Sequence, residues 1–98
     1  VQELEKAMKN NIVLVDVRTE SEYGEGHLEN AVNIDWYAAS FMNQMQQFNK
    51  HAPIYLYCRS GNRSTMAAQK LVDSGYTRVY SLEGGMNAWQ NSNKTVRK

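Results

Sequence analysis

A single cysteine, Cys58, stands in this chain. One thiol excludes an internal disulfide, and the two histidines do not combine with it in a zinc-ligand spacing, so no metal site is expected. Charge of one sign is missing too: 11 Lys and Arg face 10 Asp and Glu, with no block of like charge to follow a phosphate backbone. Nucleic acid is therefore not an expected partner. No apolar run approaches the roughly 20 residues of a bilayer span. The opening VQELEKAM has neither the basic start nor the apolar middle of a signal peptide, so no membrane partner is expected. A free thiol without a leader favours a reducing compartment, and a soluble, cytoplasmic protein is the expectation. The missing initiator methionine fits a trimmed chain, a processed chain or a piece of a longer one. No internal repeat, linker or low-complexity segment breaks the sequence.

What is present reads as one globular domain over residues 1–98. Hydrophobic residues at 42% and charged residues at 21% exclude both a disordered and a fibrous chain. Leu4, Ala7 and Met8 recur at helical spacing within 1–9. IVLVDV, 12–17, is β-branched and almost wholly apolar, as in a parallel strand buried on both faces. TESE, 19–22, has the form of a capping box, in which the Thr hydroxyl and the Glu side chain satisfy free amides at a helix start. AVNI, 31–34, reads as a second strand. Residues 36–48 then read as an amphipathic helix whose Phe41, Met42, Met45 and Phe48 face the core.

Pro53 opens a third strand, IYLYC, 54–58. A helix from about Arg63 buries Ala67, Ala68, Leu71 and Val72 and stops at Gly75, a residue suited to the left-handed position past a helix end. RVYSL reads as a fourth strand, GGMNAW, 84–89, opens a last helix, and 91–98 is a polar tail expected to be flexible. Strands alternating with helices over this length predict an α/β domain with a mostly parallel sheet. Cys58 then falls beyond the carboxyl end of a strand, where such sheets bind ligands.

The loop CRSGNRS, 58–64, carries the chemistry. Gly61 and Asn62 tolerate positive φ, so backbone N–H groups from Arg59 onward can turn toward one point. The following helix adds its positive end, and Arg59 and Arg63 add full charges, so the loop favours an anion. A sulfur at its centre is favoured as thiolate, hence as a nucleophile. The bland reading of a lone cysteine at a strand end is an inert, buried small hydrophobe. Two arginines, a glycine and two serines directly after Cys58 weigh against it, and a loop that binds an anion without chemistry stands between the two.

At these residues the chain resembles the rhodanese family, single-domain type. The likeness rests on LVDVR followed by EY, then GHLENAVNI, then YCRSGNRS with its helix, then LEGGMNAW, in order and over nearly the whole chain. It implies a rhodanese-like α/β domain with helices on both faces of a mostly parallel sheet. It also implies a sulfurtransferase in which Cys58 takes a sulfane sulfur from a donor, holds it as a persulfide and passes it to a thiophilic acceptor.

By the same resemblance, Arg59, Ser60, Gly61, Asn62, Arg63 and Ser64 hold the terminal sulfur and the donor, and Asp16, Arg18 and Glu22 brace the loop. The donor would be a small anion such as thiosulfate, or a protein persulfide, and the acceptor cyanide or a thiol; no cofactor is implied. His27, in GHL, and Trp89 read more simply as packing residues, and His51 as exposed. The tail departs from the family by being polar after Trp89.

Two other functions use the same features. A Cys-dependent phosphatase or arsenate reductase would place its Arg six positions after the Cys, where this chain has Ser64. A non-catalytic rhodanese-like binding module would commonly lack the cysteine that this chain keeps.

Overall fold

The computed structural model describes residues 2–94 and 96–97. It contains helix α1 (Gln2–Ala7), strand β1 (Val13–Asp16), α2 (Glu20–Glu25), β2 (Val32–Asn33), α3 (Phe41–Met45), β3 (Ile54–Tyr57), α4 (Asn62–Asp73), β4 (Val79–Ser81) and α5 (Gly85–Asn91). The strands form one four-stranded sheet in the order β2-β1-β3-β4, and every pairing is parallel. β1 is central, as its almost wholly apolar run predicts.

Alternation along the two central strands sends side chains to opposite faces. Val15 and Val17 of the β1 segment join Ile54, Leu56 and Cys58 of the β3 segment in one core, with Phe41, Met45, Ala67 and Leu71 packed over them. Leu14 and Tyr57 point the other way, into a second core closed by Leu4, Leu28, Met86 and Trp89. Helices α3 and α4 thus cover one face and α1 and α5 the other. No helix among the described residues is long and apolar enough to cross a membrane.

Three local expectations change. The helix expected over 36–48 is confined to Phe41–Met45. Upstream, the Trp36 N–H is tied to the Val17 carbonyl at 3.0 Å and the Asp35 carboxylate accepts the Tyr37 N–H at 2.9 Å, so the chain turns there. The Phe41 and Met45 stripe is nonetheless core, as read from its spacing. Asn62 does not take positive φ: Gly61 alone does in the loop, at 109°, and Asn62 opens α4. Val72 is exposed, because the buried stripe of α4 runs through Ser64, Ala67 and Leu71.

The tail is held rather than free at Val96 and Arg97. The His27 and Arg97 backbones exchange hydrogen bonds of 2.7 Å in both directions, and Val96 packs on the second core. His27 also stacks on Tyr23 with ring centroids 3.8 Å apart, a packing role. The remaining residues of the expected helix at 1–9 and of the tail, Val1, Thr95 and Lys98, lie outside the described set.

Candidate active site

Asp16 and Tyr57 are register partners at the carboxyl ends of β1 and β3. From β1 the chain winds outward to β2, and from β3 it winds outward to β4. Loops leaving two such strands diverge and open a crevice between them. One of them brings Arg18 and Glu22 to the crevice, the other Cys58 to Ser64.

Cys58 continues the alternation of Ile54 and Leu56, so its side chain faces α4 and is 1% exposed. Gly61, at φ 109°, reverses the chain directly below it. That turn sends the Gly61 N–H to Sγ at 3.0 Å, and the Ser64 hydroxyl lies 3.7 Å from the same atom. The backbone amides of Ser60 and Ser64 add an electrostatic preference for a charged sulfur. Ser64 belongs to the first turn of the 12-residue helix α4, whose N-terminal amides lack helical acceptors and carry the positive end of the dipole. Burial pushes the Cys58 thiol up. The Ser64 N–H and hydroxyl, with the Gly61 and Ser60 N–H groups, outweigh it and hold the thiol below its ordinary value.

Helix α5 determines which way the loop peptides point. Its Met86 N–H donates to the Cys58 carbonyl at 2.7 Å and its Asn87 N–H to the Arg59 carbonyl at 3.0 Å. With these carbonyls drawn toward α5, the next amides are left facing the sulfur. The approach requires glycine: a Cβ on Gly85 would press on the Cys58 carbonyl and lie 2.8 Å from the Arg59 carbonyl carbon. Gly85 also sits at φ 53°, in the left-handed region.

Glu22 ties α2 to the loop. Its two oxygens accept Arg63 Nη1 at 2.7 Å and Nη2 at 3.1 Å, and Oε2 lies 3.4 Å from Arg59 Nε. The same carboxylate closes the capping box, accepting the Thr19 N–H at 3.1 Å while Thr19 Oγ1 accepts the Glu22 N–H at 3.2 Å. The Arg63 hydrogen bonds, against burial and with help from Thr19, bring its pKa down to about 2. Arg63 is held above its ordinary value, chiefly by Glu22.

The two loop arginines are not equivalent. Arg63 is 16% exposed and committed to Glu22, with its guanidinium 5.9 Å over the Tyr37 ring, whereas the Arg59 side chain is 55% exposed. Asp16 and Arg18 form a buried pair of their own, Nη2 to Oδ2 at 2.7 Å, and Arg18 also donates to the Gly26 carbonyl at 2.6 Å. Arg18 lines the crevice beside Glu22, Arg59, Met86 and Gln90. Of the three residues expected to brace the loop, the structure brings only Glu22 into hydrogen bonds with it; Asp16 and Arg18 fix the end of β1 and the turn after α2.

Sequence reading passed over three features here: the α5 amides on the loop carbonyls, Tyr37 beside Arg63, and Ser81, whose hydroxyl is 2.7 Å from that of Ser64. No local signal in the sequence marks Ser81, because its nearness to Ser64 comes from the pairing of β4 with β3.

A family model described as the Rhodanese-like domain matches residues 1–92. The chain belongs to that family. This rhodanese-like chain is 36% identical over 86 residues to the thiosulfate sulfurtransferase GlpE of Coxiella burnetii, covering 88% of this chain and 78% of that protein. It is 35% identical over 79 residues to a sulfurtransferase of Allochromatium vinosum, covering 81% and 72% respectively. Among solved structures, a rhodanese-like domain protein from Staphylococcus aureus superposes with a TM-score of 0.80 at 31% identity, covering 90% of this chain and 85% of its own. A rhodanese-related protein from Thermoplasma volcanium matches at a TM-score of 0.86 and 24% identity, covering 98% and 92%, and supports the fold. The rhodanese-like fold, α/β with a parallel sheet and helices on both faces, is thus the one expected from the sequence.

Proposed function

We propose that this rhodanese-like domain is a cytoplasmic sulfurtransferase of the thiosulfate type, acting as a single domain with Cys58 as its nucleophile. The observation that carries the reading is the Gly61 N–H on the Cys58 sulfur at 3.0 Å, at the start of helix α4, with the thiol held below its ordinary value. Likeness to proteins named thiosulfate sulfurtransferase and sulfurtransferase supports it.

In the first step the Cys58 thiolate attacks the sulfane sulfur of an anionic donor. With thiosulfate, the bond between the two sulfurs of the donor breaks, and sulfite leaves with the electron pair. Cys58 then carries a persulfide whose terminal sulfur is negative. The amides of the loop, Arg59 to Ser64, stabilise that charge as they stabilise the thiolate. In the second step a thiolate or cyanide attacks the terminal sulfur, a new S–S or C–S bond forms, and the Cys58 thiolate departs. Sulfur is both the electrophile and the group carried, so the two steps balance without an oxidant or cofactor.

Arg59, the more exposed of the two arginines, receives the anionic donor, and Arg63 holds the loop through Glu22. A protein persulfide could replace thiosulfate as donor with the same chemistry at Cys58.

Intact mass spectrometry of the reduced protein after brief exposure to thiosulfate tests the reading. Gain of one sulfur, about 32 Da, removed by cyanide and absent from Cys58→Ala, is the expected result. No gain with thiosulfate or with a small persulfide donor would overturn it in favour of a non-catalytic binding module.

A further inference from the structure

The hydroxyl of Ser64 has one proton and more than one acceptor in reach. The Gly61 carbonyl is 3.2 Å from Ser64 Oγ, and Cys58 Sγ is 3.7 Å away. Gly61 is already served, however. Its carbonyl accepts the Thr65 N–H at 3.0 Å and the Thr65 hydroxyl at 2.7 Å, both shorter than the Ser64 contact, so the bond from Ser64 is the weakest of the three. The sulfur and Ser81, whose Oγ is 2.7 Å from Ser64 Oγ, therefore compete for the Ser64 proton with this long bond to Gly61. Ser81 has a further neighbour in the exposed Thr65 hydroxyl at 3.5 Å.

We infer that Ser81 is a positioning residue for the reactive thiolate, donating to Ser64 so that the single Ser64 proton turns to the Cys58 sulfur. The row of hydroxyls has two settings. With a neutral thiol, the Cys58 S–H donates to Ser64, Ser64 donates to Ser81, and Ser81 turns to Thr65. Once the sulfur has lost its proton to solvent the row reverses: Ser81 donates to Ser64 and Ser64 donates to the thiolate. Hydrogen bonds in such a chain strengthen one another, and a bond to a charged acceptor exceeds one between neutral groups. β4 thus contributes a residue to a site otherwise built from the loop after β3.

The charged groups around the sulfur are those already described. Arg63 of α4 and Arg59 of the loop lie on the side of Glu22 of α2. Helix α5 has no ionisable side chain, and Tyr80 of β4 stacks on Tyr55 with centroids 4.8 Å apart. Removing the Ser81 hydroxyl changes none of these charges.

The proposal rests on Cys58 being the reactive thiol, and its test needs no sulfur transfer. The rate of Cys58 alkylation by iodoacetamide is followed against pH in the wild-type protein, Ser81→Ala, Ser64→Ala and the double variant. Ser81→Ala is expected to raise the alkylation midpoint by about 0.5 to 1 pH unit, roughly a three- to tenfold loss of thiolate below the midpoint. Ser81→Thr, which keeps the hydroxyl, is expected to restore the wild-type midpoint. Ser81→Gly, which sets no methyl against Ser64, must shift it as Ser81→Ala does. Within Ser64→Ala, the Ser81 change is expected to move nothing further. An unshifted midpoint in Ser81→Ala and Ser81→Gly, or the same shift with Ser64 absent, would overturn the proposal. Sulfur uptake by wild-type protein is read separately, so failure of the sulfurtransferase reading would show there and not in these profiles.

Discussion

Gly85 lies flat against the Cys58–Arg59 peptide, and the residue after it, Met86, donates its N–H to the Cys58 carbonyl at 2.7 Å. The last helix of the chain is thereby a wall of the cysteine loop, and the orientation of the loop amides depends on it.

Gly85→Ala is expected to lower stability by about 2 to 4 kcal/mol, from the left-handed backbone and the clash with the loop together. The displaced loop should also raise the pH at which Cys58 is alkylated, because its amides would no longer converge on the sulfur. Urea unfolding and an alkylation profile measure the two effects. A variant with wild-type values in both would show that the loop tolerates a retreat of α5.

Cys58→Ala should remove sulfur uptake altogether while costing about 1 kcal/mol, since a small side chain leaves a small void in a packed core. Chemical denaturation alongside the mass measurement separates the two. A loss of several kcal/mol would mean that the thiol is mainly a packing residue.

The Glu22 carboxylate has its folded pKa lowered to about 2, below its ordinary value near 4.5. A depressed carboxyl contributes stability that is fully present above the unfolded pKa and is lost as pH falls through the folded one. The advantage of the wild-type protein over Glu22→Gln should therefore be constant above about pH 5 and shrink between about pH 4.5 and 2. Its size should be about 1 kcal/mol, reduced from the value implied by the shift because solvent reaches the ion pair. Unfolding free energies of both proteins at several pH values decide it. An advantage that does not change with pH would place the Glu22 contribution elsewhere than in its charge.

Arg59→Ala and Arg63→Ala should fail in different ways. Loss of the half-exposed Arg59 is expected to raise KM for thiosulfate several-fold at low salt with kcat little changed, the pattern of lost donor attraction. Loss of Arg63 strands Glu22 in a partly buried position, so about 1 to 2 kcal/mol of stability should go with the activity. Steady-state kinetics at two salt concentrations, with thermal melts, distinguish the two outcomes. Indistinguishable variants would contradict the division of roles between the arginines.

Local pattern settled much of this protein. The almost wholly apolar run of 12–17 marked a central parallel strand, TESE marked a helix capping box, and CRSGNRS marked a nest at the start of a helix, because each signal acts over a few residues. The helix expected over 36–48 could not be bounded from spacing, since the Val17 carbonyl and the Asp35 carboxylate, which hold its first residues in a turn, are tertiary and local partners that periodicity does not register.

Only the folded chain decided which charges meet. Asp16, Arg18 and Glu22 are near neighbours in sequence, yet the alternation of β1 buries Asp16 beneath the sheet with Arg18, while α2 carries Glu22 over to Arg63, 41 positions away. Ser81 reaches Ser64 because β4 pairs with β3 in parallel, and α5 reaches the loop because Gly85 has no side chain to hold it off. Sequence by itself singled out Cys58 and its loop, which are contiguous, and the family, whose motifs follow one another in order along the chain. The strand order, which sets β1 beside β3 and β3 beside β4, determined what surrounds the sulfur.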